Sequence, residues 1–169
     1  MHTFRTLTLA LATFSLTTVA HSQARAKIKA DETTMEWRYE IRPMGVGAQG
    51  TSLIEVSAYS KKVAVAAEQT KKNAVHGILF KGYGGVSGIP GRSPLIKDPA
   101  FAVNNAGFME EFFKPGGDYM RFVGQASEDV RTTDVGKDFK VEVVITVLVD
   151  ELRKYMEALG HIKNINSGF

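Results

Sequence analysis

The sequence predicts an α+β fold: a mostly antiparallel sheet with helices packed on one face, in the order β-β-α-loop-α-β-β-α. Three patterns predict it. Apolar and polar residues alternate in an early pair of segments between Trp37 and Ala58 and again from Phe139 to Val149, the period of half-buried strands. Apolar residues three and four apart follow each strand group, the period of a helix lying on a sheet. Strands in adjacent pairs, each pair followed by a helix, suit antiparallel pairing with the helices gathered on one side. The two halves do not align residue for residue, so no internal repeat is assigned.

The chain opens with a segment of a different kind. His2 and Arg5 precede an apolar-to-neutral stretch from Leu7 to Ala20, and a polar junction follows at His21, Ser22, Gln23 and Ala24. Charge, apolar run and small residues in that order read as a cleavable secretory signal over residues 1–22, the run being short for a membrane span. Ala20 and Ser22 supply the small side chains for cleavage before Gln23, and Ser22 with Ala24 offers a second site. Residues 23–34 are polar without period and read as a disordered lead-in, leaving residues 35–169 as a single α+β domain. A domain of this size buries roughly two thirds of its unfolded surface and does not need disulfides. The absence of Cys excludes thiol nucleophiles, Cys-ligated zinc and lipid attachment through a modified Cys. The expected localisation is periplasmic or secreted, with no transmembrane span in the mature chain.

In the first strand Trp37, Tyr39 and Ile41 alternate with Arg38, Glu40 and Arg42, and Pro43 is expected to end it. After a glycine-punctuated loop, Ile54, Val56 and Ala58 alternate with Glu55 and Ser57 in a second strand, expected to pair with the first as a hairpin. Ser60 is placed to cap a helix whose buried stripe is Val63, Ala67, Thr70, Ala74 and Ile78, with Glu68, Lys71 and Lys72 facing water. That stripe is mostly small and lets the helix lie close to the sheet. Residues 82–104 are rich in Gly, Pro and Ser and read as one long exposed loop, a length that tends to be functional. A short helix from Gly107 to Lys114 presents Phe108, Phe112 and Phe113. Tyr119, Arg121 and Val123 alternate with Met120, Phe122 and Gly124 in an expected third strand. The segment from Phe139 to Val149 becomes apolar on both faces in its far half, as a central strand does. Asp150 is placed to cap the last helix and Gly160 to stop it.

No chemistry-bearing motif is complete. The stretch from Gly82 to Gly88 has Ser87 where a dinucleotide loop needs its third glycine, and it follows a helix instead of a strand. The stretch from Gly85 to Ser93 is one residue too long for a phosphate loop and carries Arg92 in place of Lys. Beyond the signal only His76 and His161 remain, not in metal-ligand spacing, and no metal or other cofactor is expected. Glu110 and Glu111 are adjacent on a helix and point about a hundred degrees apart, so they cannot flank one bond. A formal net charge of +3, from 21 basic and 18 acidic residues, is no footprint for nucleic acid. The pairs Lys61 with Lys62 and Lys71 with Lys72 read as a solvated helix face. The terminal Phe169 either docks a partner or tucks into the core.

Several blocks together carry a resemblance: GAQGT at residues 47–51, QTKKNAVH at 69–76 with GILFKG at 77–82, residues 136–152, and the closing SGF. They resemble a group of exported Bacteroidetes proteins of unknown function over most of the mature chain. The small-residue helix and the late strand entering a charged helix are similar, at the level of pattern, to the amino-terminal domain of flagellar assembly protein T and related envelope lipoproteins. The resemblance implies an envelope or secreted accessory role, and neither family transfers an active-site residue. The expected function is therefore that of an exported, non-enzymatic accessory protein binding another envelope protein through residues 82–104. The alternative is a small ligand-binding protein or enzyme with a pocket under that loop, for which Tyr83, Arg92, His76 and Glu110 are the candidate residues.

Overall fold

The computed structural model describes residues 37–45, 47–127 and 129–163, together with Arg25 and Lys29. The expected signal, nearly all of the expected lead-in and Phe169 lie outside the described residues. Five strands form one antiparallel sheet: β1 (Tyr39–Gly45), β2 (Ser52–Ser60), β3 (Val123–Ala126), β4 (Arg131–Asp134) and β5 (Phe139–Val147). The order is β1-β2-β5, and β3 and β4 share the far edge of β5, β3 against Ile145–Val147 and β4 against Phe139–Glu142. β2 and β5 pair along their whole length, from Ser52 opposite Val147 to Ser60 opposite Phe139. Their alternating residues Ile54, Val56, Ala58, Val141, Val143, Ile145 and Val147 form the buried inner face. Each Val or Ile side chain among them contributes about 1.5–3 kcal/mol by leaving water.

Helix α1 (Val63–His76) lies on that face and runs on as a π-helical turn through Gly77–Lys81. Thr70, Ala74 and Ile78 are fully buried, as the small-residue stripe predicts. The helix comes so near the edge strand that a Cβ on Gly77 would strike the Ile41 side chain and sit 3.5 Å from the Tyr39 ring. Burial also extends round the helix to Val65, Gln69, Lys72 and Asn73, whereas Val63 and Ala67 are only half-buried. The sequence places Lys72 in water; the structure covers it, with Nζ 5.6 Å from the centre of the Tyr119 ring. The cover is a second helical layer made by α2 (Phe101–Asn104), α3 (Ala106–Phe113), a 3-10 turn (Asp118–Phe122) and α4 (Val149–Ala158). Rings join that layer without a break from Trp37 through His76, Phe113, Phe112 and Phe122 to Tyr155, with neighbouring centroids 3.5–6.1 Å apart. The fold is thus α+β with its helices on one face of an antiparallel sheet.

Several local expectations are corrected. Pro43 does not end β1 but sits inside it opposite Ile54, followed by a register shift. β1 is an edge strand, where a residue without an N–H is tolerated. Tyr119 to Phe122 are not a strand: Tyr119 and Phe122 are buried three positions apart on a 3-10 turn, whose period brings them to the same side. β4, fully exposed along its length, has no apolar alternation to announce it. β5 is central, but Val144 and Thr146 on its outer face are half-buried, not covered. Ser60 accepts the Lys62 amide at 3.2 Å, ahead of α1 and not as its cap. Asp150 lies inside the first turn of α4, and its amide donates to the Gly50 carbonyl at 3.0 Å. Gly160 does stop α4, taking φ 74° while the His161 amide returns to the Met156 carbonyl at 2.9 Å.

The expected long loop is folded. Tyr83 and Arg92 exchange both backbone hydrogen bonds at 2.9 Å, and Val86 and Ile89 close a smaller bridge inside them. Beyond this hairpin the chain satisfies the end of the helix: the Leu95 and Ile96 amides donate to the Ile78 and Leu79 carbonyls at 3.1 and 2.9 Å. Leu95, Ile96 and Phe101 then enter the core.

Candidate functional site

The hairpin stands opposite the β1–β2 turn, and the two enclose an open cleft of about 640 Å³. Each wall is fastened. The turn is closed by the Thr51 amide and hydroxyl, both donating to the Ala48 carbonyl at 2.9 and 2.7 Å, and it is tied to α4 through Gly50 and Asp150. On the other side the Tyr83 hydroxyl donates to Ser52 Oγ at 3.0 Å and holds the hairpin to β2. Gly91 is required there, since a Cβ would lie 2.8 Å from both the Gly85 nitrogen and the Tyr83 carbonyl oxygen. These are backbone atoms and cannot give way as a side chain does.

Three cations line this cleft, Arg92 from the hairpin, Lys97 beyond it and Arg153 from α4, and the lining contains no Asp, Glu or His. None of the three is ion-paired among the described residues. Cations without ion-pair partners suit a carboxylate or phosphate, which Arg engages with two parallel hydrogen bonds. The acidic group placed against this wall is Asp150, whose carboxylate oxygen would lie 2.8 Å from a Cβ on Gly50.

Of the four candidate residues, the structure brings together Tyr83 and Arg92. His76 lies elsewhere, stacked on Trp37 at 3.5 Å between ring centres, with Nδ1 hydrogen-bonded to the Tyr39 hydroxyl at 2.6 Å and Phe80 and Phe113 around it. Trp37 reaches this position through a left-handed backbone, φ 45°. Burial first, and then the nearby Lys81 charge, push the His76 pKa down to about 3, and burial raises that of Tyr39. The pair is therefore a neutral core contact. Glu110 is exposed on α3 and does not line the cleft. Lys97 is isolated in its segment and Arg153, next to Lys154, is one of the charges of a charged helix, so neither carries a signal in the sequence. Only the fold sets them beside Arg92.

A second charge cluster lies on the sheet's outer face. The Glu55 carboxylate, 1 % exposed, is ion-paired to Arg42 on β1 and Arg131 on β4, which are 58 % and 59 % exposed. Oε1 meets Arg42 as an ion pair without hydrogen-bond geometry. Cross-strand position explains the arrangement: Arg42 is directly opposite Glu55, and Arg131 reaches it across β5 from beside Glu142. Among the described residues no three His, Cys, Asp or Glu side chains are grouped to hold a metal ion, and no helix is long and apolar enough to cross a membrane. Compared with known proteins, the chain matches no family model, no curated protein and no solved structure.

Proposed function

We propose that this chain is an exported, non-enzymatic accessory protein, periplasmic or secreted, that binds an acidic segment of another envelope protein in the cleft between the β1–β2 turn and the 83–92 hairpin. The observation that carries this reading is the set of Arg92, Lys97 and Arg153, three cations without ion-pair partners among the described residues around an opening with no carboxylate in its lining. The openness of the cleft, wide between two loops, favours an extended segment over an enclosed metabolite. The leader-like first 22 residues and the resemblance to exported Bacteroidetes proteins point the same way. Kinship with that group and with the flagellar assembly protein T domain is part of the proposal.

The test is crosslinking in intact cells with a photoreactive residue at exposed Ser93 in the cleft lining, comparing the wild-type background with Arg92→Glu plus Arg153→Glu. The expected result is one envelope partner whose yield falls at least tenfold in the charge-reversed background. Recovery of the chain alone, or of a partner indifferent to both reversals, would overturn the reading. Unprocessed chain found in the cytosol would remove the export premise.

A further inference from the structure

We infer that the segment held in the cleft is amphipathic, an extended stretch with an apolar side chain two residues from an acidic one. This rests on the cleft reading above and specifies what the cleft selects. The carrying observation is the composition of the hairpin. Residues 82–91 contain no charged side chain, and Arg92 follows them directly. Ile89, Pro90 and Arg92 all line the cleft, so one arm of the hairpin brings an apolar strip and a cation to the same opening. Ile89 is half-buried and Pro90 is exposed. The opposite wall, residues 47–51, has no side chain larger than that of Gln49 and leaves both within reach of a bound chain.

The tip keeps that strip in place. Val86 and Ile89 exchange both backbone hydrogen bonds, at 3.0 and 2.8 Å, around a two-residue turn in which Ser87 and Gly88 take φ of 34° and 83°. Two left-handed residues make the tight turn of a hairpin, which Gly adopts freely and Ser does not. Val86 is 45 % exposed, and a Cβ on Gly84 or Gly88 would meet nothing within 4 Å, so no described residue packs over those two positions. A purely acidic ligand would engage Arg92, Lys97 and Arg153 and leave Ile89 and Pro90 in water. An apolar side chain beside the acid removes both from water and adds to the affinity. The Cα atoms of Ile89 and Arg92, three residues apart, are separated by at most about 11 Å. Side chains on one face of an extended segment recur about every 7 Å, so an acid two residues from the apolar side chain can meet the long Arg92 side chain while the apolar one rests on Ile89.

The experiment is an NMR titration of the purified chain with three acetylated and amidated heptapeptides, SESLSES, SESSSES and SKSLSKS, and a parallel sedimentation assay with phosphatidylglycerol vesicles. SESLSES should bind at least about fivefold tighter than SESSSES, with amide shifts at Gly91 and Arg92, and SKSLSKS should not bind. Raising the salt should weaken both acidic peptides and leave their ratio unchanged, because screening acts on the charges and not on the apolar contact. Ile89→Ser should bring SESLSES down to the affinity of SESSSES without changing the latter. Pro90→Ser, at an exposed position, should narrow the same gap and serves where Ile89→Ser disturbs the hairpin. Equal affinities of the two acidic peptides for wild type, or a gap that survives both substitutions, would overturn the inference and leave the cleft reading standing. Binding of neither acidic peptide would sink the cleft reading and this inference with it. Vesicle binding that Val86→Ser abolishes, with no preference between the acidic peptides, would make the hairpin tip a membrane contact instead and equally overturn the inference.

Discussion

His76 lies under the Trp37 ring with its Nδ1 on the Tyr39 hydroxyl, and its burial makes protonation unfavourable in the folded chain alone. With a folded pKa of about 3 against an ordinary 6.5, the unfolded chain holds the extra proton between those values. Stability is therefore full above pH 6.5 and is lost as pH falls toward 3, by up to about 1.4 kcal/mol per pH unit. Urea unfolding of wild type and His76→Phe at pH 7, 6, 5 and 4 measures this. The variant loses the Tyr39 hydrogen bond and starts less stable, but its stability should fall less steeply with acid; equal slopes would show that His76 titrates normally. At Gly91 the constraint is steric. Gly91→Ala should abolish the amide exchange protection of Tyr83 and Arg92 and weaken partner binding, whereas Gly84→Ala, whose Cβ would meet open space, should leave both intact.

Among the elements, one buried carboxylate ties both edges of the sheet to β2. β1 turns Tyr39, Ile41 and Pro43 inward, whereas β4 has no buried residue at all. Glu55 joins both to β2 through Arg42 and Arg131. The two guanidinium groups are more than half exposed, so losing either one leaves the carboxylate with a partner and should cost about 1 kcal/mol. Losing both leaves a buried charge uncompensated, at about 3–5 kcal/mol. Denaturant midpoints of Arg42→Ala, Arg131→Ala and the double variant test this. A double variant equal to the sum of the singles would show that the carboxylate escapes to water instead. The same comparison explains what was legible at this level. β2, β5 and α4 are marked by period because each has one face against the core, while β4 is held by backbone pairing to β5 and leaves no pattern in its side chains.

At the scale of the whole molecule, a formal net charge of +3 says little, because its placement matters more than its sum. Arg92, Lys97 and Arg153 converge without a lining carboxylate, whereas Arg42 and Arg131 are spent on Glu55. Partner capture at the cleft should accordingly weaken as salt rises, since the screening length is about 8 Å at physiological ionic strength. Tyr83 and Arg92 were visible in the sequence as features of a glycine-rich excursion; their partners Lys97 and Arg153 were not, and neither was the exclusion of His76 and Glu110. The sequence by itself determined the α+β class, the inner faces of β2 and β5, the small-residue side of α1 and the stop at Gly160. Each of these is set by local periodicity or by a backbone angle that neighbours in the chain suffice to specify. Only the tertiary structure decided that Lys72 is covered, that residues 83–92 fold back as a hairpin, and that Asn73 is buried with its side-chain oxygen unmet among the described residues. Those outcomes depend on what packs against a residue from elsewhere in the chain, and one-dimensional spacing contains no record of it.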